Sequence, residues 1–279
     1  LFRLVFAACN RDSGFGSCDI FMSEYSNGSW SNAKNMGPKI NTPQWETQPC
    51  LSSDGQYLFF IRDSRKPGSN SNIWMSRWNG SSWSIAKQLP VPINGSGDEF
   101  SPFFHADGKT LYFSSNSHVG LGGLDLFKST LTSSDVWSEP KNLGYPINDY
   151  RDNFGLVIST NGNCGFLAGG TLSKGSYQFN NQKPQIYQFR VPDSLRPEQT
   201  DWMKIWAIDK DDKTIIQNAT WSLSANGLGK ESIGVGGVFE SSIPIGTKMA
   251  LDVVAKGYNL FSRNIFFDTS RGGAIQDTI

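Results

Sequence analysis

The chain has 279 residues, and its 25 Lys and Arg balance its 25 Asp and Glu, so bulk charge gives no reason to expect nucleic-acid binding. Aromatic residues make up 13% of the chain and 29 residues are Gly, which is typical of short strands joined by tight turns. No run of 18 apolar residues is present, so we expect no transmembrane segment.

Two cysteines near the start of the chain are candidates for a disulfide. Cys9 and Cys18 flank the polar segment Asn-Arg-Asp-Ser-Gly-Phe-Gly-Ser. If this segment is a hairpin loop, the two cysteines face each other across neighbouring strands, and a disulfide is geometrically reasonable. Such a bridge would imply an oxidising compartment. Two buried thiols are the alternative, and Cys50 and Cys164 are expected to be small core residues.

A phrase containing Trp and then Ile-Asn recurs three times. Trp30, Trp83 and Trp137 stand 53 residues (83 − 30) and 54 residues (137 − 83) apart. The Ile-Asn pairs that follow them are Ile40-Asn41, Ile93-Asn94 and Ile147-Asn148. In a β-rich chain, an internal repeat near 50 residues predicts the blades of a β-propeller.

Each repeat contains the signals of four antiparallel strands. The hairpin signals between the first and second strands are Asp54-Gly55, Asp107-Gly108 and Asn161-Gly162. A third strand follows a Gly/Ser/Asn-rich loop, and the fourth strand carries the Trp. Four repeats are visible, but the first lacks its first strand and the last lacks its fourth. We therefore expect five or more blades in the intact ring.

The repeat stops after Arg190, and a second pattern follows it. Residues 191–201 contain two prolines and several charges, which is typical of a linker. Residues 202–279 contain several alternating segments that predict a small β-sandwich. The predicted fold class is therefore all-β, with a partial propeller over residues 1–190, a linker over 191–201 and a sandwich over 202–279.

Three carboxylates share one place in the repeat. Glu46, Glu99 and Asp152 stand just before the first strand of successive units. Because that strand is the innermost one, these side chains could ring one mouth of the central channel and bind a basic segment of a partner. The alternative is that each caps the backbone within its own blade. Asp19 and Asp125 also share a place, before the third strand, where backbone bonding and ligand binding are again the alternatives.

The motifs of common enzymes are missing from the sequence. No Gly-x-Ser-x-Gly elbow occurs, and the Asp-Gly pairs lack the spacing of a sialidase Asp-box. The two histidines, His105 and His118, lie 13 residues apart (118 − 105), which does not fit a zinc-binding helix. We therefore expect a protein that is not an enzyme and that needs no cofactor or metal.

Several segments carry a resemblance to a known family. They are Gly97-Asp98-Glu99-Phe100-Ser101-Pro102-Phe103, the segments 107–115 and 120–127, and above all 137–148, Trp-Ser-Glu-Pro-Lys-Asn-Leu-Gly-Tyr-Pro-Ile-Asn. They resemble the TolB-type propeller repeats of periplasmic proteins of the Bacteroidetes, over about residues 1–268. In that family a carboxypeptidase-regulatory-like domain follows the propeller, and the segments 237–239, 243–246 and 257–258 are similar to its core.

The resemblance implies a function as well as a fold. Members of the family often carry a lipid-modified cysteine before the propeller and often an outer-membrane-protein-A-like, peptidoglycan-binding domain after the sandwich, and we expect neither within these 279 residues. The expectation is a non-enzymatic periplasmic scaffold at the outer membrane. It would link a secretion or envelope complex, such as type IX secretion, to the cell wall through contacts with other proteins. A glycan- or peptide-binding module of a nutrient-uptake system is the alternative, and a hydrolase is a weaker third.

Overall fold

The computed structural model describes residues 2–26, 28–133, 135–169, 185–225, 231–266 and 275–278. The chain divides into two compact units, one formed by Leu1–Ser159 with Asn163–Leu195 and the other by Thr160–Gly162 with Arg196–Ile279. Within the described residues, the only helical element is a 3-10 turn at Asp193–Leu195. The described part of the chain therefore holds no helix with the length and hydropathy needed to cross a bilayer.

The first unit contains four antiparallel blades whose strands follow one another in chain order. The first blade comprises β1 (Phe2–Cys9), β2 (Cys18–Ser26), β3 (Ser29–Trp30) and β4 (Lys34–Asn35). The second comprises β5 (Trp45–Leu51), β6 (Tyr57–Asp63), β7 (Asn72–Arg77) and β8 (Lys87–Gln88). The third comprises β9 (Glu99–Phe104), β10 (Thr110–Ser115), β11 (Asp125–Ser133), β12 (Val136–Trp137) and β13 (Lys141–Asn142). The fourth comprises β14 (Leu156–Ile158), β15 (Cys164–Gly169) and β16 (Gln185–Arg190).

These sheets confirm the β-propeller predicted from the repeat. In the second blade the strands are hydrogen-bonded in the order β5-β6-β7-β8, and the third blade has the same arrangement. The predicted hairpin turns lie between the first and second strands, where Gly55, Gly108 and Gly162 adopt the positive φ that such turns require. The carboxylates Glu46 and Glu99 lie within the first strand of their blades rather than just before it.

The fourth strand differs from the prediction, because it is broken into short pieces. β3 and β4 both pair with β2, and β12 and β13 both pair with β11. A serine of the third strand explains the break. The hydroxyls of Ser23, Ser76 and Ser129 donate to the carbonyls of Ser31, Ser84 and Ser138 at 2.6–2.7 Å, so a side chain takes the place of a ladder bond.

The blades pack through apolar clusters that each include residues of two neighbouring blades. Between the first and second blades the cluster is Ile20, Ile40, Leu58, Phe60, Trp83 and Ala86. Between the second and third it includes Phe59, Ile61, Ile73, Leu111, Phe113, Phe127 and Trp137. Between the third and fourth it includes Tyr112, Leu126, Leu143, Leu156 and Ile158. Burial of these side chains is the main force that holds one blade against the next.

The repeated tryptophans follow from this packing. Trp83 and Trp137 are 7% and 6% exposed because each lies in the cluster that its blade shares with the preceding one. Trp30 belongs to the first blade and is 50% exposed, although its ring lies 5.3 Å from that of Tyr25. In the second and third blades the recurring Trp is therefore a contact with the preceding blade.

The second unit is the predicted small β-sandwich. One sheet has the order β20-β17-β23 and the other β19-β18-β21-β22. Its strands are β17 (Thr200–Trp206), β18 (Thr220–Ala225), β19 (Glu231–Val235), β20 (Val238–Pro244), β21 (Lys248–Val254), β22 (Phe261–Phe266) and β23 (Ile275–Thr278). The core includes Met203, Ile205, Trp221, Phe239, Leu251 and Val253, from both sheets. β17 begins at Thr200, inside the segment predicted as a linker, because the strand pairs with β20 as far as Pro244.

Candidate functional site

Glu46 is buried at the start of β5 and forms an ion pair. Its Oε1 accepts hydrogen bonds from Arg62 Nε at 2.8 Å and from Thr42 Oγ1 at 2.6 Å. The backbone N–H of Thr42 donates to Oε2 at 3.1 Å. Burial raises the pKa of Glu46 and lowers that of Arg62, against the opposing effect of their mutual attraction. The side chain has no exposed surface, so it offers no carboxylate to a partner.

Glu99 is the equivalent residue of the third blade and is also fully buried. Its Oε1 accepts hydrogen bonds from the hydroxyls of Ser115 at 3.0 Å and Ser117 at 2.5 Å, and from the N–H of Gly95 at 3.3 Å. Burial raises the pKa of this carboxyl, although these hydrogen bonds and the charge of His118 act to lower it. For Glu46 and Glu99 the structure therefore favours capping within the blade over the mouth of a channel.

Asp152, the third carboxylate of the series, is half-buried in the linker before β14. Its Oδ1 accepts the backbone N–H of Leu124 at 2.8 Å, which joins this linker to the loop before β11. A role for Asp152 at the mouth of a channel stays a prediction. In the first blade, Asp19 accepts the N–H groups of Phe15 at 2.5 Å and Gly16 at 3.1 Å. Asp19 therefore bonds the loop backbone, which is one of the two alternatives given above for this position.

The Asn of each Ile-Asn phrase has a role that the sequence did not reveal. Asn94 Oδ1 accepts the N–H of Ile73 at 2.9 Å, and its Nδ2 donates to the carbonyl of the same residue at 2.9 Å. Asn41 and Asn148 bond Ile20 and Leu126 in the same way, at 2.8–2.9 Å. Each Asn is buried, so the linker after the fourth strand is held to the start of the third strand by a side chain that imitates a strand partner.

The first hairpin is closed by a disulfide between Cys9 and Cys18. The two residues are directly paired at the end of the β1–β2 ladder, which is the arrangement that the hairpin interpretation required. Cys50 and Cys164 are free and partly buried, and Cys50 Sγ accepts the N–H of Phe104 at 3.2 Å. Among the described residues, no group of three His, Cys, Asp or Glu is placed to hold a metal ion.

Four large apolar side chains are exposed on adjoining loops of the third blade: Val119, Leu121, Tyr145 and Tyr150, here called the apolar rim. Val119 is 95% exposed, Tyr145 83% and Tyr150 81%. The carbonyl of Val119 accepts a hydrogen bond from Asn142 Nδ2 at 3.4 Å. Gly122, next to Leu121, lies so close to the carbonyls of Asp149 and Arg151 that a Cβ would collide with them. These contacts hold the loop before β11 against the linker that carries both tyrosines.

No protein-family model matches the sequence, and no curated relative matches it. Among solved structures, the chain is similar to TolB from Acinetobacter baumannii, at 14% identity and a TM-score of 0.39 over 88% of this chain. It spans 48% of that TolB chain, about half its length. An alpha-L-arabinofuranosidase from Lactobacillus brevis matches at 13% identity and a TM-score of 0.45, over 70% of each chain. A nidogen/laminin complex matches at 10% identity and a TM-score of 0.40, over 99% of this chain and 98% of that one. At these values no function is transferred from any of them.

Proposed function

We propose that this chain is a non-enzymatic scaffold that binds partner proteins, and that the apolar rim is the surface it uses. The observation that carries the proposal is the exposure of four large apolar side chains on adjoining loops. Exposed large apolar side chains that are grouped on a protein surface commonly mark a site of protein interaction. The buried carboxylates of the repeat, Glu46 and Glu99, are meanwhile bonded within their own blades.

The resemblance of the repeats to periplasmic proteins of the Bacteroidetes supports a more specific proposal. Within that family, the order of a propeller and a sandwich is similar to PorE, a component of the type IX secretion system. We infer a periplasmic location at the outer membrane, where the scaffold would connect secretion or envelope proteins to the cell wall. The Cys9–Cys18 disulfide supports this location, because such bridges persist in oxidising compartments.

Site-specific photo-crosslinking in cells tests this function. Positions 119 and 150, which belong to the apolar rim, are each replaced by a photo-reactive residue. Position 53, in the hairpin turn between β5 and β6, is replaced in the same way and serves as the matched control. We expect crosslinks to envelope or secretion-system proteins from positions 119 and 150 only, and their loss when Leu121→Ser is added. Equal crosslinking from all three positions, or none, would contradict the proposal. A sugar that co-purifies and protects the tyrosines of the rim from modification would favour the glycan-binding alternative.

A further inference from the structure

Two tryptophans lie on the outer face of the sandwich, on β17, which is the central strand of its sheet. Side chains alternate along a strand, and Met203 and Ile205 point into the core. Trp202, Lys204 and Trp206 therefore lie on the opposite face. Trp202 is 38% exposed, and Trp206 is half-buried. Because the two tryptophans are four positions apart on one strand, their Cα atoms are separated by about 13 Å.

An ion pair lies between the two indoles. Lys204 is paired across the sheet with Glu240 on β20, and its ammonium group forms an ion pair with the Glu240 carboxylate. The ammonium nitrogen also lies 5.3 Å from the centroid of the Trp206 ring. The two charged side chains are 36% and 25% exposed. The centre of the face thus offers N–H donors and carboxylate acceptors to solvent while its charges cancel.

The cross-strand neighbours leave both indoles open. Ser242 is paired with Trp202, and Val238 is paired with Trp206. Both neighbours are too short to cover an indole ring, and Val238 is itself 39% exposed. Within the part of the chain that the structure describes, neither indole N–H has a hydrogen-bond partner, in contrast to that of Trp221 in the core. We call Trp202, Lys204, Trp206 and Glu240 the tryptophan face.

The chemistry of a sugar ring matches these groups. The flat faces of the ring consist of C–H groups, which pack on an aromatic ring, and its rim consists of hydroxyls, which both donate and accept hydrogen bonds. Each indole can therefore pack on one sugar while the ammonium and carboxylate groups bond the hydroxyls of a sugar between them. A β-1,4-linked chain is extended and follows an extended strand from one indole to the other. An α-1,4-linked chain curves away from it.

Other ligands fit the tryptophan face less well. Because Lys204 and Glu240 neutralise each other, the face has no net charge with which to attract an anion or a cation. A protein that packed flat on the two indoles would remove water from the ion pair without replacing its hydrogen bonds, which is unfavourable. Sugar hydroxyls replace those water molecules directly.

We propose that the tryptophan face binds a neutral, β-1,4-linked glycan. Trp202 and Trp206 pack on two sugars of the chain, and the Lys204–Glu240 pair bonds the hydroxyls between them. The site lies in the sandwich and the apolar rim lies in the propeller, so the two share no residue. Glycan binding therefore goes beyond the proposed scaffold function and does not depend on it.

Calorimetric titration of the purified chain tests the site with cellohexaose and chitohexaose, which are β-1,4-linked, and with the α-1,4-linked maltohexaose. We expect a β-linked probe to bind, and maltohexaose to bind roughly tenfold more weakly or not at all. Trp202→Ala and Trp206→Ala should each weaken binding roughly tenfold, as the loss of a central aromatic contact usually does. Trp30→Ala, which truncates a half-exposed Trp of the propeller, is the matched control and should leave the affinity unchanged. Failure of both β-linked probes to bind, or an affinity that neither sandwich substitution changes, would overturn the proposal.

Salt dependence tests whether the ligand is held by hydrogen bonds or by charge. The affinity for a neutral glycan should change by less than about twofold when the salt concentration is raised from low to high. Glu240→Gln retains a side chain that can bond a hydroxyl, so it should bind more tightly than Glu240→Ala. A steep loss of affinity with salt would show that charge holds the ligand, against the proposal.

Indole NMR of the wild-type protein does not depend on the stability of the alanine variants. The chain has nine tryptophans, and the signals of Trp202 and Trp206 are assigned with Trp202→Phe and Trp206→Phe. Saturation with the β-linked probe should shift both signals and leave that of the buried Trp221 in place. Two unmoved signals would place the glycan elsewhere. If the face retains a protein but no sugar, and Trp202→Ala abolishes this retention, its ligand is a protein and the glycan assignment is wrong.

Discussion

At the scale of the residue, buried carboxylates in this chain bond the backbone beside them, as Asp107 shows. Asp107 Oδ1 accepts the N–H groups of Lys109 at 3.1 Å and Thr110 at 2.9 Å, and Oδ2 accepts the Thr110 hydroxyl at 2.6 Å. His105 Nδ1 accepts the N–H of Asp107 at 3.1 Å. Burial acts to raise the pKa of Asp107, but the interaction of its carboxylate with the His105 ring, whose Nδ1 lies 3.5 Å from Oδ1, and the hydrogen bonds from Thr110 outweigh it and lower the pKa to about 2.

The lowered pKa of Asp107 predicts a pH dependence in acid. A depressed carboxyl pKa stabilises the fold above its ordinary value of 3.8, and this contribution is lost as the pH falls toward about 2. We expect the free energy of unfolding to lose about 2 kcal/mol over this range, at about 1.4 kcal/mol for each unit of pKa. In Asp107→Asn the loss should be smaller by that amount in urea titrations at successive pH values. Asp54→Asn, at the exposed turn of the second blade, is the control, and an equal reduction there would contradict the assignment.

At the scale of the element, the start of each third strand is fixed by a side chain as well as by its neighbouring strands. Asn94 bonds both backbone groups of Ile73, and its Nδ2 also donates to the carbonyl of Leu89 at 2.7 Å. The amide thus bridges β7 and the end of the fourth strand. Three blades share the two bonds to the third strand, and the distances of each bond differ by at most 0.1 Å between blades. The linker that leads to the next blade is therefore set by this bridge.

Removal of the Asn94 amide should destabilise the propeller measurably. Asn94→Ala leaves the buried N–H of Ile73 without its acceptor, and one such group costs about 1–3 kcal/mol. Chemical denaturation of the purified protein measures the loss. Asn32→Ala, which truncates an exposed Asn between β3 and β4, is the matched control and should change stability by less than about 0.5 kcal/mol. Equal stability of the two variants would show that the bridge contributes nothing.

At the scale of the whole molecule, the chain has separate apolar cores. The sandwich core is built around Trp221, whose ring is fully buried and lies 5.7 Å from that of Phe239. Its indole N–H donates to the carbonyl of Gly236 at 2.6 Å. Trp137 belongs to the cluster between the second and third blades. Within the described residues, no buried side chain is shared between the sandwich core and the clusters of the propeller.

Truncation of one tryptophan in each unit should therefore act on different unfolding transitions. Loss of a large buried aromatic side chain costs about 3–5 kcal/mol. We expect Trp221→Ala to lower the unfolding temperature of the sandwich and to leave that of the propeller unchanged. Trp137→Ala should lower the unfolding temperature of the propeller and leave that of the sandwich unchanged. Thermal unfolding followed by calorimetry separates the transitions. A single transition lowered equally by both substitutions would show that the two units unfold together.

The sequence predicted the blades because their signals are local. The Asp-Gly and Asn-Gly turns and the alternating strands lie within a few residues of each other, and the Trp spacing makes the repeat visible. The sandwich was predicted for the same reason. The burial of Glu46 and Glu99 was not predicted, because the position of a residue along a strand does not reveal whether the rest of the fold covers its side chain.

The hydrogen bonds that each Asn makes to the third strand have a consequence for how blades can be added to a propeller. Asn41, Asn94 and Asn148 each bond a strand of their own repeat, 21 or 22 residues earlier in the chain. A tandem duplication of one repeat would therefore copy both the Asn and the strand residue that it bonds. Only the apolar faces of the duplicated blade would have to pack against a different blade. Apolar packing tolerates substitution more readily than a buried amide that makes two hydrogen bonds.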